Sequence, residues 1–149
     1  MLGNKAVEQM LNEESPQCLL LMPPTEEFVP VRELVSSSLK EVGIEPILAL
    51  TIRLPDGSTA ESVRQATKLA DIIIADLTGS YPNIMYEVGY AQALKRTVLP
   101  IVRSGPGRVP TAMEGQIFVV YDPANPEKFR NDIQFWTQRY LERKKRARA

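Results

Sequence analysis

The sequence predicts a single α/β domain with a three-layer, flavodoxin- or Rossmann-like fold: a five-stranded, mostly parallel sheet with helices on both faces. Three observations predict this class. The chain has 149 residues, enough for one domain with a substantial core. Its short apolar runs are continuous rather than alternating, as in strands that are covered on both faces. Segments with helical periodicity separate these runs, and strict alternation of strands and helices gives a doubly wound sheet.

Five apolar runs are the predicted strands. In chain order they cover residues 18–22, 47–50, 72–75, 98–102 and 117–121. Pro23-Pro24 ends the first run, and Asp122-Pro123 ends the fifth. Pro100 has no backbone N–H to donate, so the fourth strand is expected to be irregular or to lie near an edge of the sheet.

Four helices are predicted between and after these strands. They cover residues 31–42, 58–70, 82–94 and about 126–143. Pro82 falls in the first turn of the third helix, where its missing N–H is tolerated. Phe129, Ile133, Trp136 and Tyr140 recur at steps of 4, 3 and 4 residues, which predicts a core-facing stripe on the last helix.

The predicted domain covers residues 16–143, preceded by an N-terminal arm or extra helix at residues 1–15 and followed by a basic tail at residues 144–149. The last eleven residues carry six of the 18 basic residues and one of the 18 acidic residues. The remainder therefore has 12 basic and 17 acidic residues, a net charge of −5. A body of that sign does not attract polyphosphate, so nucleic acid is not an expected partner.

The residue inventory excludes several kinds of chemistry. Cys18 is the only cysteine and there is no histidine, which excludes an intrachain disulfide, a zinc site of His and Cys ligands, and a histidine base. No metal site and no cofactor are predicted. Residues 1–15 have no signal-peptide pattern, and the longest apolar run, residues 18–22, is too short to cross a bilayer. We therefore expect a cytoplasmic protein with no membrane partner.

The carboxyl edge of the sheet is the predicted working surface, because ligands of open parallel sheets bind there. The loops expected at that edge cover residues 23–29, 51–57, 76–83 and 103–109. Asp76 ends a buried strand, so its carboxylate is expected to emerge at this edge. Glu87 follows within about two turns of the next helix start and can turn back toward it. Two carboxylates converging on one cleft, with Thr78, Asn83 and Tyr86 nearby, would suit a sugar ring.

Each of these residues also has a simpler interpretation. Glu87 could be a solvated helix residue that favours the helix dipole. Asp76 could be a turn residue that accepts backbone N–H groups, and Asn83 could cap its own helix. Tyr86 could be a packing residue. Gly89 is expected to let its helix approach the sheet closely.

The segment from Ala70 to Ile101 resembles the superfamily of nucleoside 2-deoxyribosyltransferases, deoxynucleoside-monophosphate N-glycosidases and bacterial TIR-like domains. In that superfamily a strand ending in an acid, a short polar loop and a Tyr-Glu-Leu-Gly-type helix recur in this order. The matching residues here are Asp76, the loop at 77–81, and Tyr86-Glu87-Val88-Gly89.

The bacterial TIR-like branch is the most similar part of that superfamily. The segment from Leu21-Met22-Pro23 to Phe28 and the segment at 119–123 are similar to it. The transferases and glycosidases carry an aspartate where this chain has Val63, which also favours the TIR-like branch.

The resemblance implies that Glu87 is the nucleophile at the anomeric carbon of a nucleoside or nucleotide. It implies that Asp76 holds a sugar hydroxyl or passes a proton to the base, and that Tyr86 orients the glutamate. The implied substrate-binding residues are Met22, Pro23, Thr78, Asn83 and Tyr86.

Two functions remain open from the sequence. One is cleavage or transfer of an N-glycosidic bond in a nucleoside, a nucleotide or NAD. The other is a non-catalytic nucleotide-sensing or self-associating TIR-like signalling module. A homo-oligomer is expected in either case, because members of the superfamily often complete the cleft with a neighbour's loop.

Overall fold

The fold is described from a computed structural model, which covers residues 2–49, 59–105 and 116–148. The predicted loop at 51–57 and most of the predicted loop at 103–109 lie outside these ranges. Within them, the elements follow the order that the sequence predicts.

Five strands form one sheet with the order β2-β1-β3-β4-β5, and every pairing in it is parallel. The strands are β1 Gln17–Leu21, β2 Glu45–Leu48, β3 Ile72–Asp76, β4 Val98–Arg103 and β5 Val119–Tyr121. This is the flavodoxin-like strand order, in which β3 is central. The predicted fold class is confirmed.

Five helices accompany the sheet. They are α1 Leu2–Asn12, α2 Val29–Glu41, α3 Thr59–Leu69, α4 Pro82–Ala93 and α5 Pro126–Arg148, with a short 3₁₀ turn at Glu26–Phe28 before α2. Residues 2–12 are thus helical, and α5 continues into the segment predicted as a basic tail. In the described ranges, no helix is both long enough and apolar enough to cross a membrane.

Alternate residues of the strands serve two separate apolar layers, which explains why the strands are continuously apolar in sequence. One layer packs the strand side chains against α2 and α5; its strand members include Cys18, Leu20, Ile72, Ile74 and Tyr121. The other layer packs them against α3, α4 and α1; its strand members include Leu19, Leu21, Ile73 and Ala75.

Pro100 lies in β4, the strand next to the sheet edge. The carbonyl of Ile101 accepts a hydrogen bond from Leu77 N, so residue 101 faces the central strand and residue 100 faces the β5 side. Pairing with β5 begins only at Ile101 and Val119. The missing N–H of Pro100 therefore removes no bond between β4 and β5.

Candidate functional site

The carboxylate of Asp76 is buried at the carboxyl end of the central strand. Asp76 is only 1% exposed and its side chain lies on the α2 and α5 side of the sheet, as do those of Ile72 and Ile74. Its Oδ2 accepts a 2.6 Å hydrogen bond from the Tyr121 hydroxyl, and its Oδ1 accepts one of 2.9 Å from Thr78 N. The expectation that this carboxylate emerges at the edge of the sheet is therefore wrong.

Burial sets the electrostatics of this carboxyl group. Loss of water raises the pKa of Asp76 above its ordinary value; hydrogen bonds from Thr78 and Tyr121 and the positive charge of Arg103 oppose the rise but do not cancel it. Burial also raises the pKa of Tyr121, and the nearby Asp76 charge raises it further. The tyrosine therefore keeps its hydroxyl proton and is the hydrogen-bond donor to the carboxylate.

The bond from Thr78 N to Asp76 forms the tight turn that leaves the central strand. Gly79 continues this turn with a φ of +79°, a left-handed conformation that glycine adopts without strain. Ser80 N then donates to Leu77 O at 3.0 Å, and α4 begins two residues later. The simpler interpretation of Asp76, a turn residue that accepts a backbone N–H, is thus part of its role.

Arg103 places a cation at the same edge, at the end of β4. Its backbone N–H donates to Thr78 Oγ1 at 2.9 Å, which ties the end of β4 to the loop after the central strand. Its guanidinium carbon lies 5.0 Å from the Phe28 ring centroid, and its Nη1 lies 4.0 Å from Glu27 Oε2. Its Nε is buried and has no hydrogen-bond partner in the described part of the chain.

Glu87 lies in the second turn of α4, on the other side of the sheet from Asp76. The helix packs against the sheet through Ile84, Val88 and Ala91, and Glu87 lies on the flank of that apolar stripe. Its side chain is half-buried and its Oε2 is out of contact with solvent. The two carboxylates therefore lie on opposite faces of the sheet.

The remaining predicted site residues occupy different environments. Tyr86 is 66% exposed, so the interpretation as a packing residue is wrong. Asn83 is exposed in the first turn of α4, whose N-cap is Tyr81, so Asn83 is not the cap. Met22 and Pro23 directly follow the end of β1 and are buried. The carbonyl of Pro23 accepts a 2.8 Å hydrogen bond from the guanidinium of residue 32.

Gly89 does not serve the purpose predicted for it. It is exposed, and a Cβ built at this position meets nothing within 4 Å. Close approach of α4 to the sheet therefore does not depend on this glycine.

Two residues of the site were not singled out from the sequence. Tyr121 was predicted only as the end of a strand, and Arg103 only as the start of a loop. The sequence did contain a signal for each of them, because each is a polar residue at the carboxyl end of a predicted strand. In the described ranges, no group of three or more Asp, Glu, Cys or His residues is arranged to hold a metal ion.

Known structures with this fold include an N-glycosidase and a TIR domain. The CMP N-glycosidase BcmB of Clostridium botulinum is 17% identical, with a TM-score of 0.56 over 78% of this chain and 97% of that one. The TIR domain of a Toll-related receptor of Hydra magnipapillata is 18% identical, with a TM-score of 0.56 over 87% of this chain and 97% of that one. No family model and no curated protein matches the sequence. The predicted resemblance therefore holds at the level of the fold.

Proposed function

We propose that this chain is a nucleoside- or nucleotide-binding domain that cleaves or transfers an N-glycosidic bond, with Glu87 as the nucleophile. The observation that carries the proposal is the position of Glu87. Glu87 lies in the second turn of α4, and this helix directly follows the loop that leaves the central strand. One of the Glu87 carboxylate oxygens is buried. A partly dehydrated carboxylate beside the carboxyl edge suits attack on a sugar carbon.

The chemistry can be written with the groups present. A Glu87 oxygen attacks C1′ of the sugar as the C–N bond to the base breaks, and the base leaves with the bonding pair and takes up a proton. The resulting glycosyl ester is then cleaved by water, which gives hydrolysis, or by a second base, which gives transfer. The other residues predicted to bind the substrate at this edge are Met22, Pro23, Thr78, Asn83 and Tyr86.

In this proposal Asp76 acts by positioning its neighbours, because its buried carboxylate does not reach the ligand as the sequence predicted. It holds the Thr78 backbone, and the Thr78 hydroxyl in turn holds the backbone of Arg103. The backbone of Arg103 is thereby fixed at the carboxyl edge, and its guanidinium, which lies over the Phe28 ring, can contact an anionic group of the ligand. This supports a nucleotide ligand rather than an unphosphorylated nucleoside.

A second candidate function is a self-associating TIR-like module that binds a nucleotide without turnover. The observation that favours it is the edge strand β5, whose Val120 is 49% exposed, next to Ile117, also 49% exposed. Apolar residues on an edge strand are a common means of association between chains. The homo-oligomer expected from the sequence would form here.

Incubation with a panel of deoxynucleosides, their monophosphates and NAD tests the first function, with free base or nicotinamide as the readout. We expect one substrate to be cleaved and Glu87→Gln to lower turnover at least about a thousandfold with ligand binding retained. Glu8→Gln, on an exposed glutamate of α1, is the matched control and should leave turnover unchanged.

No turnover by the parent, combined with ligand binding and self-association, would favour the second function. In that case Val120→Lys should convert the oligomer to a monomer by light scattering, because a lysine on an edge strand opposes pairing between chains. A parent protein that is monomeric and releases base would exclude the module.

A further inference from the structure

A cleft lies at the amino-terminal edge of the sheet, the edge opposite the candidate site. Its volume is about 460 Å³, within the usual range for small-molecule sites. It lies between the starts of β3 and β4 and the last turns of α5. Its walls include Asp71, Lys95, Arg96, Tyr140, Arg143 and Lys144.

The cleft carries an uncompensated positive charge. Lys144 Nζ lies 3.1 Å from Asp71 Oδ1, so these two charges neutralise each other. The second oxygen of Asp71 accepts a 2.8 Å hydrogen bond from Gln17 N, so both oxygens of this carboxylate have partners. Lys95, Arg96 and Arg143 form no salt bridge with any residue that the structure describes.

Arg96 supplies an anchored guanidinium in the wall of the cleft. One end of its guanidinium is anchored, because Nη2 donates to the Ala70 carbonyl. Its Nε–H is buried and has no hydrogen-bond partner in the described part of the chain. The N–H groups of this guanidinium that are not buried can donate to an anionic oxygen in the cleft.

We propose that this cleft binds a small phosphate-bearing molecule through two or more phosphate oxygens. Arg96 donates from a fixed position, and Lys95 and Arg143 contribute charge from either side. Three cations that form no salt bridge with a described residue match a diphosphate group, which carries comparable negative charge at neutral pH. This site is separate from the candidate site at the carboxyl edge, and the proposal does not depend on Glu87 chemistry.

Calorimetric titration of the 149-residue protein with inorganic pyrophosphate tests the proposal. We expect the double variant Lys95→Gln with Arg143→Gln to bind pyrophosphate at least about tenfold more weakly. The double variant Arg139→Gln with Arg146→Gln is the matched control. It removes the same charge from exposed positions of α5 that do not line the cleft, and it should change the affinity less than about twofold.

The emission of Trp136 gives an independent readout, because its ring centroid lies 6.1 Å from that of Tyr140 in the cleft wall. We expect pyrophosphate to change this emission in the parent and in the control variant, at concentrations that leave the Lys95 and Arg143 variant unchanged.

Three results would overturn the proposal. The first is no binding of pyrophosphate by the parent at millimolar concentration. The second is equal weakening by the two double variants, which would mean that general charge and not the cleft holds the anion. The third is a single-stranded oligonucleotide that binds more tightly than pyrophosphate, which would assign the phosphates to a polymer along α5.

Discussion

The hydroxyl of Tyr121 donates a 2.6 Å hydrogen bond to Oδ2 of Asp76, although β4 lies between the two strands that carry them. The tyrosine ring also stacks on Phe129 of α5, with ring centroids 4.4 Å apart. The edge strand, the central strand and the last helix are thus joined directly beneath the candidate site. Asp76 therefore supports the carboxyl edge from inside the domain.

Tyr121→Phe should lower the free energy of unfolding by about 1–3 kcal/mol, because it removes one of the donors to a buried carboxylate. Urea unfolding measures the change. Tyr90→Phe, which removes a hydroxyl from a half-buried position on α4, is the matched control. Equal effects of the two substitutions would mean that the bond to Asp76 contributes no special stability.

The raised pKa of Asp76 predicts a pH dependence with a definite sign. A carboxyl whose pKa is higher in the folded state than its ordinary value of 3.8 binds more protons when folded. Its contribution to stability is therefore fully present below that value and is lost as pH rises through the raised pKa. In Asp76→Asn the group does not titrate, so the stability of the parent relative to this variant should fall as pH rises from the ordinary value of 3.8 through the raised pKa.

Unfolding of both proteins over this pH range measures the difference, in which contributions from the other carboxyl groups cancel. A difference that grows in favour of the parent as pH rises would mean that hydrogen bonds outweigh burial at this site and hold the pKa of Asp76 low.

Two glycines near the site should respond in opposite directions to alanine. Gly79→Ala should destabilise the domain by about 1–2 kcal/mol, because φ is +79° and the added Cβ would lie 3.0 Å from the Tyr81 ring. Gly89→Ala should stabilise it by about 0.5–1 kcal/mol, because alanine favours the helix and the added Cβ meets no atom. Thermal unfolding measures both. If Gly89→Ala instead destabilised the domain, the result would support the sequence-based expectation that Gly89 lets α4 approach the sheet closely.

Arg103→Gln should separate nucleotides from nucleosides, if the ligand of the carboxyl edge carries a phosphate. We expect about tenfold weaker binding of the monophosphate and little change for the matching nucleoside, because a neutral amide loses the charge-assisted bond. Equilibrium binding of both ligands measures this, with Arg139→Gln as a control at an exposed position of α5. Equal losses for the two ligands would show that Arg103 stabilises the fold only.

The sequence predicted the sheet well because its strands are covered on both faces. A run such as residues 72–75 does not alternate between apolar and polar residues, so it indicates a parallel strand whose two faces are both buried. The proline at position 100 interrupts no pairing, because its nitrogen faces the β5 side of β4 and pairing with β5 begins only at Ile101. Strict alternation with helices then predicted a doubly wound sheet.

The candidate site was harder to predict, because it depends on which face each side chain meets. Asp76 faces the same side of the sheet as Ile72 and Ile74, because side chains alternate along a strand. The sequence does not show that α2 and α5 cover that face. Glu87 belongs to a helix on the opposite face. The contact between Tyr121 and Asp76 joins residues 45 positions apart across an intervening strand, and no local pattern reports such a pair.

Intact-mass analysis of the parent protein, quenched during turnover of its substrate, tests the role of Glu87 most directly. The account predicts a glycosyl adduct that maps to the peptide containing Glu87 and is absent from Glu87→Gln. An adduct on any other carboxylate, or base release that continues unchanged in Glu87→Gln, would contradict it.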